Sequence, residues 1–160
     1  MESRILVIGE TCMDIFYYGR CDRLCPEAPA PVFNPIDCIK NPGMAMNVQK
    51  NIRALGYMCD INTNPNWQEI TKTNQMFIRV DQNDDRIERC DLSNINFSYY
   101  NVVIVSDYCK GFITEEDVTY ITSQHPCVFL DTKKTLGSWC KDVKYIKING
   151  YEYEKTKYNV

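Results

Sequence analysis

The sequence has no apolar run long enough to cross a membrane. Its longest runs, Ile5 to Ile8 and Val102 to Val105, contain four residues each, whereas a helical span needs about 20. The N-terminus also lacks the apolar core of a secretory signal peptide. We therefore expect a cytoplasmic protein with no membrane partner.

Histidines and close cysteine pairs are scarce as well. The nine cysteines include no C-x-x-C pair, and His125 is the single histidine. Cys21 and Cys25 form one loose pair, whereas a structural zinc site needs two close pairs. We expect reduced thiols rather than a disulfide framework, and we predict no metal site.

A strong charge of either sign is also missing. The 160 residues carry a formal net charge of −3, which gives no general attraction to a phosphate backbone. Nucleic acid is therefore not an expected partner. With 44% hydrophobic and 24% charged residues, and without repeats, low-complexity stretches or an internal linker, the sequence predicts one globular domain over residues 1–160.

An alternation of strand and helix patterns is present instead. Apolar residues at helical spacing predict a helix over residues 44–55, which Gly56 ends. A capping box at Thr114 predicts a second helix to about Ser123, and a short helix or tail follows from Tyr151. Apolar, β-branched or alternating runs predict the strands of a main sheet at residues 4–9, 57–62, 101–106, 127–131 and 144–149. This order predicts an α/β fold, with helices covering a mainly parallel sheet.

Two further segments have a different character. Residues 15–39 are rich in proline and aromatic side chains, which favours edge strands or an extended flap over a helix. Residues 62–68 are predicted to form a turn or loop. Residues 73–81 alternate apolar and polar side chains and predict a half-buried strand, with which residues 86–90 are expected to pair. The segments 15–39 and 73–90 thus predict a second, smaller sheet.

Polar side chains follow several of the main strands. Parallel sheets bind ligands beyond the carboxyl ends of their strands. The polar residues at these positions are Glu10, Asp14, Asp107, Lys110, Asp131, Lys133, Asn149 and Glu152. A helix cap or a solvated turn is the ordinary role of each one taken singly, so the residues alone leave both interpretations open.

Eight short motifs occur in order between about residues 4 and 155. They are Gly9-Glu10-x-x-x-Asp14, Tyr18-Gly19, Cys25-Pro26-Glu27-Ala28-Pro29, Pro42-Gly43-x-x-x-Asn47, Asn74-Gln75-x-x-x-Arg79, Ser106-Asp107-Tyr108-x-Lys110, Leu130-Asp131-x-Lys133 and Asn149-x-x-Glu152. Together they resemble the ribokinase-like (PfkB-type) carbohydrate kinases, and in particular the heptose 7-phosphate kinase domain of the ADP-heptose pathway. The resemblance implies a three-layer ribokinase-like fold with a β-clasp lid formed by residues 15–39 and 73–90.

The resemblance also implies a sugar-binding side. Asp14 would accept hydrogen bonds from sugar hydroxyls, Gly43 would let the backbone approach the sugar, and Asn47 would bind a further hydroxyl. Asp107 and Lys110 would complete the substrate site, with Lys110 near anionic groups. Gly43 as turn chemistry and Asn47 as a solvated helix residue remain the structural alternatives.

A second implied element is the pair Asn149 and Glu152, which resembles the family's N-x-x-E element. That element positions magnesium-bound water and phosphate in the family. A first-turn helix acid, favoured by the helix dipole, is the structural alternative for Glu152.

The sequence also departs from the family pattern. Glu10 replaces an Asp, Met44 replaces the second Gly of the sugar loop, Thr132 replaces a Pro, and the stretch between Asp60 and Thr71 is much shorter. Family kinases continue beyond the N-x-x-E element into a half that holds the adenine pocket and a Gly-Ala-Gly-Asp motif with the catalytic base. The resemblance therefore implies a truncated sugar kinase homologue that binds a sugar or sugar phosphate without a catalytic residue of its own.

Two other functions remain open. One is a carbohydrate kinase half that another chain completes, in which case magnesium and ATP would be its cofactors. The other is a non-catalytic scaffold. A homodimer through the clasp is expected because the clasp has two faces and only one can cover a pocket. The apolar residues of that clasp are Tyr17, Tyr18, Phe33, Ile36, Met76 and Ile78.

Overall fold

The main sheet of the computed structural model has five parallel strands. They are β1 (Arg4–Gly9), β4 (Met58–Asn62), β7 (Val102–Asp107), β8 (Val128–Thr132) and β9 (Tyr145–Lys147), and their order across the sheet is β4-β1-β7-β8-β9. The structure describes residues 3–65, 68–73, 78–82 and 87–157. Each of these strands lies within two residues at either end of its predicted position, so the predicted α/β class is confirmed.

Apolar side chains of the main sheet pack on both of its faces. In β1, Leu6 and Ile8 join the core on one face, whereas Val7 joins the core on the other. The first core includes Val118 of helix α2 (Glu115–Gln124), and the second includes Ala45 of helix α1 (Met44–Ala54). Helices on both faces of a parallel sheet give the three layers that the sequence predicts.

The carboxyl ends of the central strands lie at one edge of this sheet. Gly9 of β1 pairs with Ser106 of β7, and Ser106 pairs in turn with Asp131 of β8. Because the register is parallel, the residues that follow these strands are neighbours in space.

The clasp is a second sheet of four strands. They are β2 (Thr11–Leu24), β3 (Pro31–Gly43), β5 (Gln68–Thr73) and β6 (Arg79–Gln82), in the order β3-β2-β5-β6. Strand β2 is antiparallel to β3 and parallel to β5. A single residue, Glu10, separates β2 from the end of β1, and β3 continues directly into α1. The clasp is therefore anchored at the carboxyl end of the main sheet.

The predicted single strand over residues 73–81 is wrong. Thr73 ends β5, and the antiparallel β6 begins at Arg79; residues 74–77, with Met76, lie outside the described residues. The predicted loop over 62–68 ends earlier than expected, because Gln68 already pairs with Cys12 in the clasp.

The predicted clasp strand at residues 86–90 is also wrong over 87–90, where the chain forms no strand. Ile87 and Cys90 pack against the core of the main sheet, and the Cys90 N–H donates to the Phe112 carbonyl oxygen at 2.8 Å. The segment gains more from burying these apolar side chains against the main core than from pairing with the clasp. Arg86 and the turn predicted at residues 83–85 lie outside the described residues.

The predicted capping box at Thr114 is confirmed. Thr114 Oγ1 accepts a hydrogen bond from the Asp117 N–H at 3.2 Å, and Asp117 Oδ2 accepts one from the Thr114 N–H at 2.9 Å. Helix α3 (Gly150–Thr156) follows β9. None of the helices in the described part of the chain is long and apolar enough to span a membrane.

Candidate functional site

A cavity of about 430 Å³ lies between the clasp and the carboxyl end of the main sheet. Its lining comes from both sheets, from the start of α1 and from the loops after β7 and β8. The lining residues are Cys12, Asp14, Met44, Ile70, Lys72, Arg79, Tyr108, Lys110 and Lys133. Four of these side chains are cationic and Asp14 supplies a carboxylate, so the cavity combines an electropositive wall with one strong acceptor.

Asp14 is held in a fixed orientation by its neighbours on the clasp. Its Oδ1 atom lies 2.8 Å from Lys72 Nζ, and both side chains are half-buried. The same Lys72 ammonium lies 5.0 Å from the centre of the Phe16 ring, which adds a cation–π contact. The cation–π contact thus holds the Lys72 ammonium, and the ion pair from that ammonium holds the carboxylate at the wall of the cavity.

Gly43 is required by the close packing beneath Asp14. A Cβ atom at this position would lie 2.4 Å from Cys12 Sγ and 2.8 Å from Asp14 Oδ2, so no larger residue fits without displacing the carboxylate. Burial raises the pKa of the Cys12 thiol to about 11, with Asp14 adding to the rise. Cys12 is therefore a neutral thiol in the cavity wall near pH 7.

Met44 adopts a backbone conformation that suits glycine. Its φ angle is +51°, in the left-handed region where a side chain costs about 1–2 kcal/mol. It stands directly after Gly43 and its side chain lines the cavity. The methionine thus narrows the cavity and strains the junction between β3 and α1.

Tyr108 and Lys133 form one part of the cavity wall. Lys133 Nζ lies 4.7 Å from the centre of the Tyr108 ring, and burial raises the pKa of the Tyr108 hydroxyl. Tyr108 and Lys133 follow the neighbouring strands β7 and β8, so the parallel register brings them together.

Asp107 lies behind this wall rather than in it. Its carboxylate is buried and accepts hydrogen bonds from Thr132 Oγ1 at 2.6 Å and from Lys134 Nζ at 2.5 Å. The Lys134 ammonium also donates to the Ile113 carbonyl oxygen at 2.8 Å. These contacts tie the loops after β7 and β8 together.

Asn47 lies on the exposed side of α1, outside the lining of the cavity. Its Oδ1 atom accepts a hydrogen bond from Asn51 Nδ2 at 3.2 Å, one turn further along the helix. The structure therefore does not bring Asn47 together with Asp14.

Asn149 and Glu152 form a reciprocal cap on α3. Asn149 Oδ1 accepts from the Glu152 N–H at 2.9 Å, while the two Glu152 oxygens accept from the Asn149 N–H at 2.8 Å and from Asn149 Nδ2 at 2.9 Å. All three side-chain oxygens of the pair thus take part in the cap. Across the described ranges, no group of three or more His, Cys, Asp or Glu side chains could hold a metal ion.

The rule that polar residues after strand ends form the site selected Asp14, Lys110 and Lys133 of this lining but not three other side chains: Lys72, Arg79 and Tyr108. Tyr108 directly follows the end of β7, so the rule that selected Lys110 and Lys133 could have selected it as well. Lys72 and Arg79 carry no such signal, because they reach the cavity through strand pairing within the clasp.

Comparisons with known proteins agree with this architecture. No protein-family profile matches the chain. The chain is 31% identical over 172 residues to bifunctional protein HldE of Vibrio parahaemolyticus, covering 82% of this chain and 36% of that protein. It is 30% identical over 196 residues to bifunctional protein HldE of a Nitratiruptor species, covering 97% and 42%.

Solved structures show the same fold at low sequence identity. Ribokinase of Arabidopsis thaliana, complexed with ribose and ATP, has a TM-score of 0.64 and 10% identity, with 97% of this chain and 62% of that chain covered. A carbohydrate kinase from Agrobacterium tumefaciens has a TM-score of 0.59 and 11% identity, covering 96% and 62%.

The clasp and the parallel sheet define the ribokinase-like fold, which these solved kinase structures share. The chain is homologous to the HldE proteins described above, and it shares the ribokinase-like fold of the solved structures. The chain spans about two fifths of the length of the HldE proteins that it matches.

Proposed function

We propose that this chain binds a sugar phosphate in the cavity between the clasp and the main sheet. The observation that carries the proposal is the joint presence of Asp14 and four cationic side chains in one cavity of about 430 Å³. A carboxylate accepts hydrogen bonds from hydroxyl groups, and lysine and arginine pair with phosphate. A sugar phosphate carries hydroxyl groups for the carboxylate and a phosphate for the cationic side chains.

The roles of the individual side chains follow from their positions. Asp14 receives the sugar hydroxyls, oriented by Lys72 at 2.8 Å. Lys110 and Lys133, from the loops after two adjacent main strands, face the phosphate, together with Arg79 from the clasp. The HldE relatives and the ribose named in the ribokinase structure support a sugar as the ligand class.

We also propose that the isolated 160-residue chain does not phosphorylate its ligand. Phosphoryl transfer needs a positioned base and donors that stabilise the spread negative charge. Asn149 and Glu152, the candidates for phosphate and magnesium, satisfy each other in a helix cap. A kinase half that a second chain completes remains the alternative, since the chain covers 62% of the ribokinase chain.

Calorimetric titration of the purified chain with heptose 7-phosphate tests the binding proposal. We expect saturable binding that weakens at least about tenfold in Asp14→Ala, because sugar hydroxyls lose their acceptor in a closed pocket. Asp37→Ala is the matched control, since Asp37 is an exposed clasp carboxylate outside the cavity. Absence of binding by the unmodified chain, or equal affinity of Asp14→Ala, would contradict the proposal.

A coupled assay with ATP, magnesium and heptose 7-phosphate tests the catalytic part. We expect no phosphorylation above background from the purified chain alone. Turnover that Glu152→Gln abolishes would show that the chain completes its own active site.

A homodimer through the clasp is the assembly that we propose. Large apolar side chains are exposed on the clasp strands and beside them: Tyr18, Leu24, Ile36, Ile39, Ile78 and Val80. Exposed large apolar side chains concentrated in one sheet favour an interaction surface. The same surface is the feature that favours the scaffold alternative.

A further inference from the structure

Three consecutive backbone N–H groups after β7 point at two buried carboxylates. The Tyr108 N–H donates to Glu10 Oε2 at 2.9 Å, the Cys109 N–H to Asp107 Oδ1 at 3.0 Å, and the Lys110 N–H to Glu10 Oε1 at 3.1 Å. Glu10 is 0% exposed and Asp107 is 1% exposed. Such a concave run of N–H groups is an anion-binding nest, and here the protein's own side chains fill it.

The nest determines which way the loop presents its side chains. Cys109, its middle residue, has a φ angle of +59°, a left-handed conformation that the hydrogen bonds on either side hold in place. Tyr108 and Lys110 line the sugar phosphate cavity, whereas Cys109 and Gly111 line a second cavity of about 340 Å³ on the other side of the loop. Loss of the nest would therefore release both cavity-facing residues together.

Glu10 itself is fixed by its place between the two sheets. It is the single residue between β1 and β2, and its carbonyl oxygen accepts the Ala45 N–H at 2.9 Å, at the start of α1. From this point its side chain reaches the loop after β7. A carboxylate accepting two N–H groups forms charge-assisted hydrogen bonds, and a buried donor left without a partner is costly.

We infer that Glu10 is a positioning residue of the sugar phosphate site. It does not line the cavity, but its two oxygens hold Tyr108 and Lys110 in register with Asp14 and Lys133. Ligand affinity therefore depends on a carboxylate that the ligand does not touch. This inference rests on the proposed function, because the affinity in question is that for a sugar phosphate.

Glu10→Gln tests this role with little change in shape. The amide side chain keeps one acceptor oxygen and places an NH₂ donor against one of the two backbone N–H groups. We expect the Kd for heptose 7-phosphate to rise at least about tenfold. In the NMR spectrum of the ligand-free protein, the amide proton of Tyr108 or Lys110 should move upfield as it loses its carboxylate acceptor.

A matched control separates positioning from general stability. Val118→Ala removes buried volume from the core between α2 and the main sheet, so it should destabilise the fold while leaving the Kd within about twofold. If Val118→Ala weakens binding as much as Glu10→Gln, or if Glu10→Gln binds like the unmodified chain, the inference is wrong.

Two further results keep the test decisive. If Glu10→Gln does not fold, Glu10→Asp keeps the charge on a shorter side chain and should give an intermediate affinity; equal affinity would overturn the inference. If the unmodified chain binds no heptose 7-phosphate, the proposed function fails. The amide resonances of Tyr108 and Lys110 then still report whether Glu10 holds the loop.

Discussion

The main sheet and the clasp are stabilised in different ways. The last four residues of β1 are all buried, whereas in β3 only Gly43 is buried and in β6 no residue is. The main strands therefore gain stability from side chains that pack on both faces. The clasp depends more on its backbone hydrogen bonds, and many of its large apolar side chains are exposed.

The largest expected effect is the difference between a core and a clasp truncation. Leu130 is 1% exposed in β8, and Ile36 is 70% exposed in β3. Leu130→Ala should lower the free energy of unfolding by about 2–5 kcal/mol, while Ile36→Ala should change it by less than about 0.5 kcal/mol in the monomer. Urea unfolding at low protein concentration measures both, and equal losses would contradict the comparison.

A charged substitution on the clasp tests its outer face. Ile36→Lys should weaken the proposed homodimer at least tenfold, because a lysine would be buried in an apolar contact of roughly 1,000 Å² or more. Leu55→Lys is the control, since Leu55 is as exposed but lies at the end of α1. Sedimentation equilibrium at tens of micromolar distinguishes the species. If the unmodified chain is monomeric at this concentration, the proposal of a clasp dimer is wrong.

A smaller effect is expected at the junction of the two regions. Met44→Gly should stabilise the protein by up to about 1 kcal/mol, because glycine accepts the positive φ angle without strain. Met46→Gly, two residues into α1, should instead cost about 1 kcal/mol as an ordinary glycine in a helix. Thermal unfolding of both variants makes the comparison. Equal destabilisation would show that the Met44 conformation carries no strain.

The main sheet could be predicted from sequence because the residue patterns that favour strands locally are also those that burial on both faces of the sheet requires. Runs such as Val102 to Val105 are apolar at every position, and both faces of the sheet require that. Strand β5 is mostly polar, with Ile70 as its buried apolar residue, so its sequence resembles a loop. Ile87 and Cys90 follow a predicted turn and were expected to pair with the clasp, yet they pack against the main core.

The site was only partly predictable for a related reason. Asp14, Arg79 and Lys110 stand in recognisable motifs and line the cavity, but Lys72 stands in none and reaches it only through strand pairing in the clasp. The roles of Asn149 and Glu152 could not be assigned from sequence for a different reason. A capping box and a ligand-binding element use the same three-residue spacing, so their sequence cannot distinguish the two roles.

Strand β2 leaves the main sheet directly after Glu10, so any small rotation at that point would be amplified along the strand. Its 14 residues extend roughly 45 Å at about 3.3 Å per residue, so a rotation of about 5° at Glu10 would displace Leu24 by about 4 Å. Asp14, four residues from Glu10, would move by only about 1 Å on the same geometry. The distance from the junction therefore makes the position of the clasp tip far more sensitive to such a rotation than the position of the carboxylate near its base.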